Sequence, residues 1–173
     1  MPAASAAGPL IVVMGITGAG KSTVARALSV QLGVDFQEGD DLHPPANVDK
    51  MRAGVPLDDA DRAPWLDAIA HWLAQRRSGG SGGVVSCSAL RRRYRDRLRA
   101  AGPVRFVFLA LSRELAHERL ATGGGHYMPS SLIESQWQAL EPPDEELDVL
   151  TLPADQPLQT LCRRILQWLG AAP

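Results

Sequence analysis

An eight-residue segment, GITGAGKS from Gly15 to Ser22, matches the pattern G-x-x-x-x-G-K-[ST] in full. A short apolar run, Leu10–Met14, precedes it, and an amphipathic run, Ser22–Leu32, follows it. This order predicts a buried parallel strand, a tight turn and a helix. A chance glycine-rich turn would not need both flanking elements, so the segment is interpreted as a phosphate-binding loop (P-loop).

The chemistry of a P-loop accounts for the residue types in this segment. Gly15, Gly18 and Gly20 allow the backbone to curl so that its N–H groups surround phosphate oxygens. The N-terminal end of the following helix adds a partial positive charge. Lys21 can reach the β- and γ-phosphates of a nucleotide, and the Ser22 hydroxyl can ligate Mg²⁺. The sequence therefore predicts nucleotide binding.

Apolar strand-like runs alternate with helical patterns along the rest of the chain. The predicted strands are Leu10–Met14, Val34–Gln37, Val84–Cys87, Arg105–Leu111 and Val149–Leu152. Helices are expected over Ser22–Leu32, Asn47–Ala53, a stretch with Pro64 in its first turn, Arg91–Ala101, Arg113–Thr122, Pro129–Leu140 and Pro157–Leu169. This alternation is typical of an α/β domain with a five-stranded parallel sheet and right-handed crossovers. The chain of 173 residues fits a single domain, 1–173.

Composition excludes several classes of protein. The longest apolar run, Phe106–Leu111, is too short to cross a bilayer, and the N-terminus does not resemble a signal peptide. Cys87 and Cys162 lack metal-ligand spacing, so a reducing cytoplasm is the expected location. A net charge of -1 argues against a dedicated nucleic-acid binder.

The 18 basic residues include only two lysines, Lys21 and Lys50. An arginine-rich composition is most simply a property of the genome. A position that needs the compact ammonium group would still resist replacement by the planar guanidinium. We therefore expect at least one of the two lysines to be functional.

An acidic turn follows the second predicted strand and contains Glu38, Asp40 and Asp41. Ligands of parallel sheets bind at the carboxyl ends of strands, so these carboxylates are expected near the γ-phosphate. A carboxylate there can accept the proton of an attacking hydroxyl. The alternative is a solvated turn, which the neighbouring P-loop makes less favourable.

Arg62 and the segment Arg91–Arg99 are further candidates for binding an anionic ligand. Arg62 lies near the start of a helix, where its charge is unfavourable for the helix dipole, so it is a candidate for binding an anion. The segment Arg91–Arg99 holds six arginines; either they form a solvated face, or Arg91 and Arg95 contact an anionic substrate or nucleotide. A nucleic-acid patch is a third possibility, although the segment has a single aromatic residue.

A P-loop does not by itself separate kinases from GTPases and ATPases. The base-reading pattern N-K-x-D of GTPases is absent from the sequence. The chain is also short for a motor ATPase, and no predicted strand ends in the apolar run plus Asp that often holds Mg²⁺ in ATPases. A small metabolite kinase remains.

Five segments together resemble the gluconokinases, a family of P-loop metabolite kinases. They are GITGAGKST (Gly15–Thr23), EGDDLHPPANVDKM (Glu38–Met51), GVPLDDADRAPWL (Gly54–Leu66), CSALRRRYRDRLR (Cys87–Arg99) and HYMPSSLIESQWQALE (His126–Glu141). The tail that contains Asp155, Gln156 and Pro157 also matches, and the resemblance implies that it borders the adenine. The segments follow the expected order over nearly all of residues 10–169. The combination of GDDLHP, N-x-x-K-M and D-R-x-P-W-L is far more specific than a P-loop.

The resemblance implies a three-layer P-loop kinase fold with a small mobile lid over residues 119–135. It implies transfer of the γ-phosphoryl group of ATP to the 6-hydroxyl of D-gluconate, with Mg²⁺, in a cytoplasmic enzyme that is often a homodimer. Another sugar acid or a shikimate-like acceptor is the alternative. A non-catalytic alternative is a nucleotide-dependent module that binds nucleic acid through Arg91–Arg99.

The resemblance also implies roles for individual residues. Catalytic roles fall to Lys21, Asp40 and Arg119, and Ser22 would ligate the metal. The implied ATP-binding residues are Gly15, Ile16, Thr17, Gly18, Ala19, Gly20, Lys21, Ser22, Thr23, Arg119 and Gln156. The implied substrate-binding residues are Asp40, His43, Lys50, Arg62, Arg95 and His126.

The predicted lid departs from the family pattern. Gluconokinases commonly carry basic residues between the equivalent of Arg119 and the His-aromatic pair, but here residues 121–125 read ATGGG. A cation that neutralises transition-state charge is worth about 10³-fold or more in rate. Either Arg119 or a residue from elsewhere replaces this cation, or turnover is expected to be slow.

Overall fold

The computed structural model describes residues 7–122 and 130–170. Its centre is a sheet of five parallel strands in the order β2-β3-β1-β4-β5. The strands are β1 (Leu10–Met14), β2 (Asp35–Glu38), β3 (Gly83–Ser86), β4 (Val104–Ala110) and β5 (Val149–Pro153). The predicted α/β class and five-stranded parallel sheet are confirmed, and each predicted strand is present within a residue or two of its expected ends.

Seven α-helices and one 3₁₀ helix occur in this part of the chain. They are α1 (Lys21–Leu32), the 3₁₀ helix Gly39–Leu42, α2 (Pro45–Arg52), α3 (Asp59–Ser78), α4 (Arg92–Arg99), α5 (Arg113–Thr122), α6 (Ser130–Ala139) and α7 (Leu158–Trp168). None of these helices combines the length and apolar character that crossing a membrane requires.

The alternation of side chains along β1 divides the core into two halves. Ile11 and Val13 point to one face of the sheet, where they pack with α1 and α7. Leu10, Val12 and Met14 point to the other face, where they pack with α3 and α4. Because all five residues of β1 are buried, this strand is covered on both sides, as parallel sheets require. The molecule therefore has three layers.

Two helix starts differ from the prediction. Asn47 was expected to cap α2, but the helix begins at Pro45 and Asn47 is buried within it. Pro64 was expected in a first turn, but α3 begins at Asp59. The side chains of Asp58 and Asp61 form a reciprocal capping box that satisfies each other's backbone N–H, so the helix starts five residues before the proline.

Candidate active site

The P-loop connects β1 to α1 at the carboxyl end of the central strand. Gly15, Gly18 and Gly20 have φ values of 146°, 89° and 93°, a region that disfavours side chains with a Cβ. Lys21 donates from Nζ to the carbonyl of Ile16, 3.0 Å away. Burial lowers the pKa of Lys21, while the negative charges of Asp40 and Glu38 oppose that shift. The loop thus holds its lysine beside two carboxylates.

A carboxylate from β2 lies next to the serine of the P-loop. The Ser22 hydroxyl donates to Glu38 Oε1 at 2.9 Å, and the Ser86 hydroxyl donates to the same oxygen at 2.5 Å. Ser86 ends β3, the strand beside β1 that lacks the aspartate found in many ATPases. The acidic group beside Ser22 therefore comes from the next strand outward.

This donor set fits Mg²⁺. Within the described residues, no group of three or more His, Cys, Asp or Glu side chains is arranged to hold a metal. Magnesium usually retains waters and is held by one or two protein oxygens together with substrate phosphates. The Ser22 hydroxyl and the Glu38 carboxylate are hard oxygen ligands of that kind, at the mouth of the P-loop.

The turn after β2 presents Asp40 to solvent at the same end of the sheet. The backbone of Gly39 packs so closely on β3 that a Cβ there would lie 1.9 Å from the Ser86 carbonyl oxygen. The indole of Trp65 donates to the Gly39 carbonyl at 2.8 Å. These contacts hold the 3₁₀ helix in place, while the side chain of Asp40 remains 77% exposed. Its carboxylate is therefore available to a ligand.

His43 lies beside Asp40, and its buried ring is held by its neighbours. Its side chain is only 3% exposed, and Nε2 is 3.9 Å from Asp40 Oδ1. The ring stacks on Trp65 with 4.1 Å between centroids and 15° between planes, and Nδ1 contacts the amide nitrogen of Asn47. Burial lowers the pKa of His43; Asp40 opposes this shift and Arg62 adds to it.

Arg62 approaches the same region from α3. Its guanidinium donates to the Tyr94 hydroxyl at 3.1 Å and lies 5.3 Å from the centre of the tyrosine ring. The Tyr94 hydroxyl in turn donates to Asp59 Oδ1. The predicted anion-binding arginine is thus held in one orientation by an aromatic residue of α4.

A single cleft joins these groups. Its lining includes Thr17 and Lys21 from the P-loop and Asp40, His43, Arg62 and Trp65 from the facing elements. The cleft is bounded by apolar residues, including Met51, Leu57 and Leu90, and by Ser88, Ser135 and Gln136. A charged, hydroxyl-bearing molecule bound here would lie between a phosphate-binding loop and an exposed carboxylate.

Arg119 lies on the other side of the P-loop. Its guanidinium donates to the carbonyls of Gly18, at 2.8 Å, and Ala154, at 3.0 Å. It therefore bridges the P-loop and the turn after β5. Gln156 is in the same turn, where its side-chain oxygen accepts from Arg164 at 3.2 Å. Because β5 and β2 are the opposite edge strands of the sheet, this turn lies on the other side of β1 from the turn that carries Asp40.

The structure places Arg95 away from the cleft, contrary to its expected substrate contact. Its side chain is fully buried and donates to both oxygens of Glu146 and to the carbonyls of Ala89 and Glu141. Because these partners already use its guanidinium, Arg95 joins α4 to the loop before β5. Sequence spacing put it on the right helix but could not show that this position faces the core.

Lys50, another expected substrate contact, has a different partner in the structure. Lys50 donates to Asp61 Oδ2 at 2.8 Å, and this hydrogen bond raises its pKa; the pair joins α2 to the start of α3. His126 lies outside the described residues, as do residues 123–129 of the expected lid.

The arginines of α4 are matched by acidic residues. Arg93 pairs with Asp59, Arg97 with Asp67, and Arg99 with both Glu146 and Asp148. Arg92 lies 4.0 Å from Asp96 on the next turn. The segment that resembles a basic patch in the sequence is therefore largely neutralised by neighbours distant in the chain.

Several residues of the site were not predicted from the sequence. Gln136 of α6 accepts from the Thr17 backbone N–H at 2.7 Å and donates to the Thr17 hydroxyl at 2.9 Å. Asn47, Tyr94 and Ser86 also position site residues. Gln136, Asn47 and Tyr94 occur inside the segments that carry the family resemblance, which is the one sequence feature that could have indicated them.

Comparison with known proteins agrees with this geometry. The family model described as an AAA domain matches residues 10–143. A gluconokinase of Gluconobacter oxydans is 48% identical over 147 residues, which cover 84% of this chain and 83% of that protein. The thermoresistant gluconokinase of Escherichia coli is 40% identical over 154 residues, covering 87% of each chain.

A solved structure agrees over a similar length. The crystal structure of a gluconokinase from Sinorhizobium meliloti superimposes with a TM-score of 0.86 at 45% identity, covering 96% of this chain and 94% of that one. With a matched P-loop, a matched fold and high identity over most of each sequence, this chain belongs to the gluconokinase family.

Proposed function

We propose that this protein is an ATP-dependent gluconokinase that phosphorylates D-gluconate at its 6-hydroxyl to give 6-phospho-D-gluconate. The observation that carries the proposal is the single cleft in which Lys21 of the P-loop and the exposed carboxylate of Asp40 face the same space. A phosphoryl donor and an acceptor hydroxyl can meet there. Membership of the gluconokinase family supports gluconate as the acceptor.

The P-loop binds the phosphates of ATP. The residues involved are Gly15, Ile16, Thr17, Gly18, Ala19, Gly20, Lys21, Ser22 and Thr23. Lys21, held on the Ile16 carbonyl, moves to the β- and γ-phosphates when the nucleotide arrives. Arg119 and Gln156 border the nucleotide on the side of the Ala154 turn.

Mg²⁺ would be held by the Ser22 hydroxyl, with Glu38 beside it. When bound, the ion would supply positive charge that offsets the negative charge of the phosphates. Glu38 accepts hydrogen bonds from both Ser22 and Ser86, so it orients the serine whose oxygen faces the metal. These contacts would hold the two oxygen-bearing side chains in place for the metal.

Asp40 holds the acceptor hydroxyl in line with the γ-phosphorus. The hydroxyl oxygen forms a bond to phosphorus while the bond to the β,γ-bridging oxygen breaks, and the hydroxyl proton passes to the Asp40 carboxylate. ADP leaves with the bridging oxygen. Arg62, held by Tyr94, pairs with the carboxylate of gluconate, and His43 contacts a hydroxyl.

The lid over residues 119–135 closes when both substrates are bound and excludes water. Since residues 121–125 carry no Arg or Lys, Arg119 supplies the positive charge on this side of the phosphates. His126 contacts gluconate in the closed state. The enzyme acts as a cytoplasmic homodimer, which light scattering on a size-exclusion column would test.

A coupled assay of ADP formation tests the reaction itself. With ATP and Mg²⁺, gluconate should be phosphorylated more efficiently than other sugar acids and shikimate. No ADP formation with gluconate would reject the proposal. A higher kcat/KM for another acid would show that this acid, and not gluconate, is the preferred acceptor.

The role of Asp40 is tested by Asp40→Asn, with Asp41→Asn as the matched control. Both residues are exposed in the same turn, but only Asp40 lines the cleft. Asp40→Asn should lower kcat by about 10²-fold or more, the usual effect of losing a proton acceptor, with little change in KM for ATP. Equal effects of the two variants would remove Asp40 from the mechanism.

A further inference from the structure

Asn47 contacts two groups with one amide nitrogen. Its side chain is buried within α2, and its Nδ2 lies 2.8 Å from the Asp61 carbonyl oxygen and 3.1 Å from His43 Nδ1. Neither contact belongs to the phosphate-binding loop. The arrangement connects the start of α3, through Asn47, to the histidine beside Asp40.

The Asp61 carbonyl decides how this network is protonated. A backbone carbonyl can only accept a hydrogen bond, so the group of Asn47 that faces it must be the NH₂ group. The same NH₂ group then donates its second hydrogen to His43 Nδ1. A nitrogen that accepts carries no proton, so the proton of a neutral His43 is on Nε2.

The rest of the surroundings keep the ring in this state. Stacking on Trp65 fixes the plane of the ring, and Trp65 is itself anchored on the Gly39 carbonyl. The charged side chains facing the ring are Asp40, from the 3₁₀ helix, and Arg62, from α3. Burial lowers the pKa of His43, which favours the neutral ring near pH 7. The Nε2–H group lies on the side of Asp40, 3.9 Å from its Oδ1.

We propose that Asn47 is a positioning residue that holds His43 as the neutral Nε2–H tautomer, so that His43 donates a hydrogen bond to a hydroxyl oxygen of the acceptor. The proposal rests on the proposed gluconate kinase reaction and assigns different roles in it to His43 and Asp40. His43 is a donor and cannot take the hydroxyl proton, because Nε2 is already protonated and Nδ1 faces Asn47. Asp40 is left as the one proton acceptor of this pair.

The tautomer can be measured without turnover. In protein labelled with ¹⁵N at histidine, the two ring nitrogens of His43 should give the shifts of a protonated Nε2 and an unprotonated Nδ1 at pH 7. His43→Gln would assign the signals. A protonated Nδ1, or a doubly protonated ring, would overturn the proposal. This result does not depend on activity, so it stands apart from any failure of the proposed function.

Asn47→Asp tests the positioning role. A carboxylate at this position accepts from Nδ1 instead of donating to it, so His43 should become protonated at Nδ1 and its pKa should rise. We expect kcat/KM for gluconate to fall about tenfold, the effect of one mispositioned hydrogen bond, with KM for ATP unchanged. The pH profile of kcat/KM should shift along with the histidine. An equal fall in kcat/KM for gluconate and for ATP, with no change in the ¹⁵N shifts of His43, would overturn the positioning role of Asn47.

Two replacements of His43 separate its nitrogens. The amide nitrogen of Gln can occupy the position of Nε2 and donate, whereas that of Asn reaches only the position of Nδ1. His43→Gln should therefore retain several-fold more activity on gluconate than His43→Asn. Asn47→Asp should lower activity less in the His43→Gln variant than it does in the wild-type protein. The reverse order of activity would contradict the donor role.

Discussion

Glu38 shows how one side chain can take over a position usually filled from another strand. Its Oε1 accepts from Ser22 and from Ser86, and Ser86 stands at the end of β3, where many P-loop ATPases have an aspartate. Because the carboxyl ends of neighbouring parallel strands meet at one edge of the sheet, a glutamate on β2 reaches the same place. The carboxylate beside Ser22 is therefore supplied by β2, while β3 supplies a serine.

Arg62 depends on a residue from another helix for its orientation. The Tyr94 hydroxyl accepts from Arg62 and donates to Asp59, and burial raises the pKa of Tyr94, so this hydroxyl stays protonated at neutral pH. A flexible arginine would lose more side-chain entropy on binding a substrate carboxylate. Tyr94 reduces that cost by holding the guanidinium in advance.

Tyr94→Phe should raise the KM for gluconate about three- to tenfold, the effect of one lost hydrogen bond. The phenyl ring keeps the packing, so kcat and the KM for ATP should change little. Steady-state kinetics with each substrate varied in turn would measure this. Arg93→Gln, which removes a different partner of Asp59, is the control and should leave both KM values close to those of the wild type.

The helix α6 contacts the P-loop directly. Gln136 binds both the backbone N–H and the hydroxyl of Thr17, and α6 begins at Ser130, within the expected lid. A movement of this helix would therefore act on the loop that binds phosphates. The contact supplies a physical connection between lid position and nucleotide binding.

Gln136→Ala should raise the KM for ATP about three- to tenfold, because Thr17 loses two hydrogen bonds that order the start of the P-loop. Gln138→Ala is the matched control, since Gln138 is exposed on the same helix. Initial rates at varied ATP would distinguish the two variants. A lower KM for Gln136→Ala would contradict this role and mean that Gln136 competes with phosphate for the Thr17 amide.

At the scale of the whole molecule, a buried ion pair joins elements that lie far apart in the chain. Arg95 of α4 is fully buried and pairs with Glu146, whose carboxylate also accepts from Arg99. Burial opposes ionisation of Glu146, but the hydrogen bonds from Arg95 and Arg99 outweigh it, and its pKa is lowered. Removing one partner would leave the other charge buried without compensation.

Arg95→Met should lower the free energy of unfolding by roughly 3–5 kcal/mol. The matched control is Arg97→Met on the same helix, whose pair with Asp67 is exposed on both sides and is screened by solvent. Urea unfolding followed by circular dichroism would measure both variants. Similar losses for the two would contradict the structural role of Arg95, as would a selective rise in the KM for gluconate in a fully stable Arg95 variant.

Much of the fold could be read from the chain because its patterns are local. The apolar run of β1, the glycines of the P-loop and the amphipathic helix after it occur within residues 10–32. Each predicted strand was found, since short apolar runs bounded by turns are typical of buried strands in an α/β domain. Helix starts were less certain, because capping by Asp58 and Asp61 competes with the preference of Pro64 for a first turn.

By itself the sequence determined the α/β class, the P-loop and the family, because each is written in residue types at fixed spacing. Only the tertiary structure decided which face of α4 meets the core, so it alone moved Arg95 from an expected substrate contact into a buried ion pair. It also decided that Asn47, Tyr94 and Gln136 orient His43, Arg62 and Thr17. Such roles depend on hydrogen bonds between residues far apart in the chain, and their distances exist only once the layers have packed.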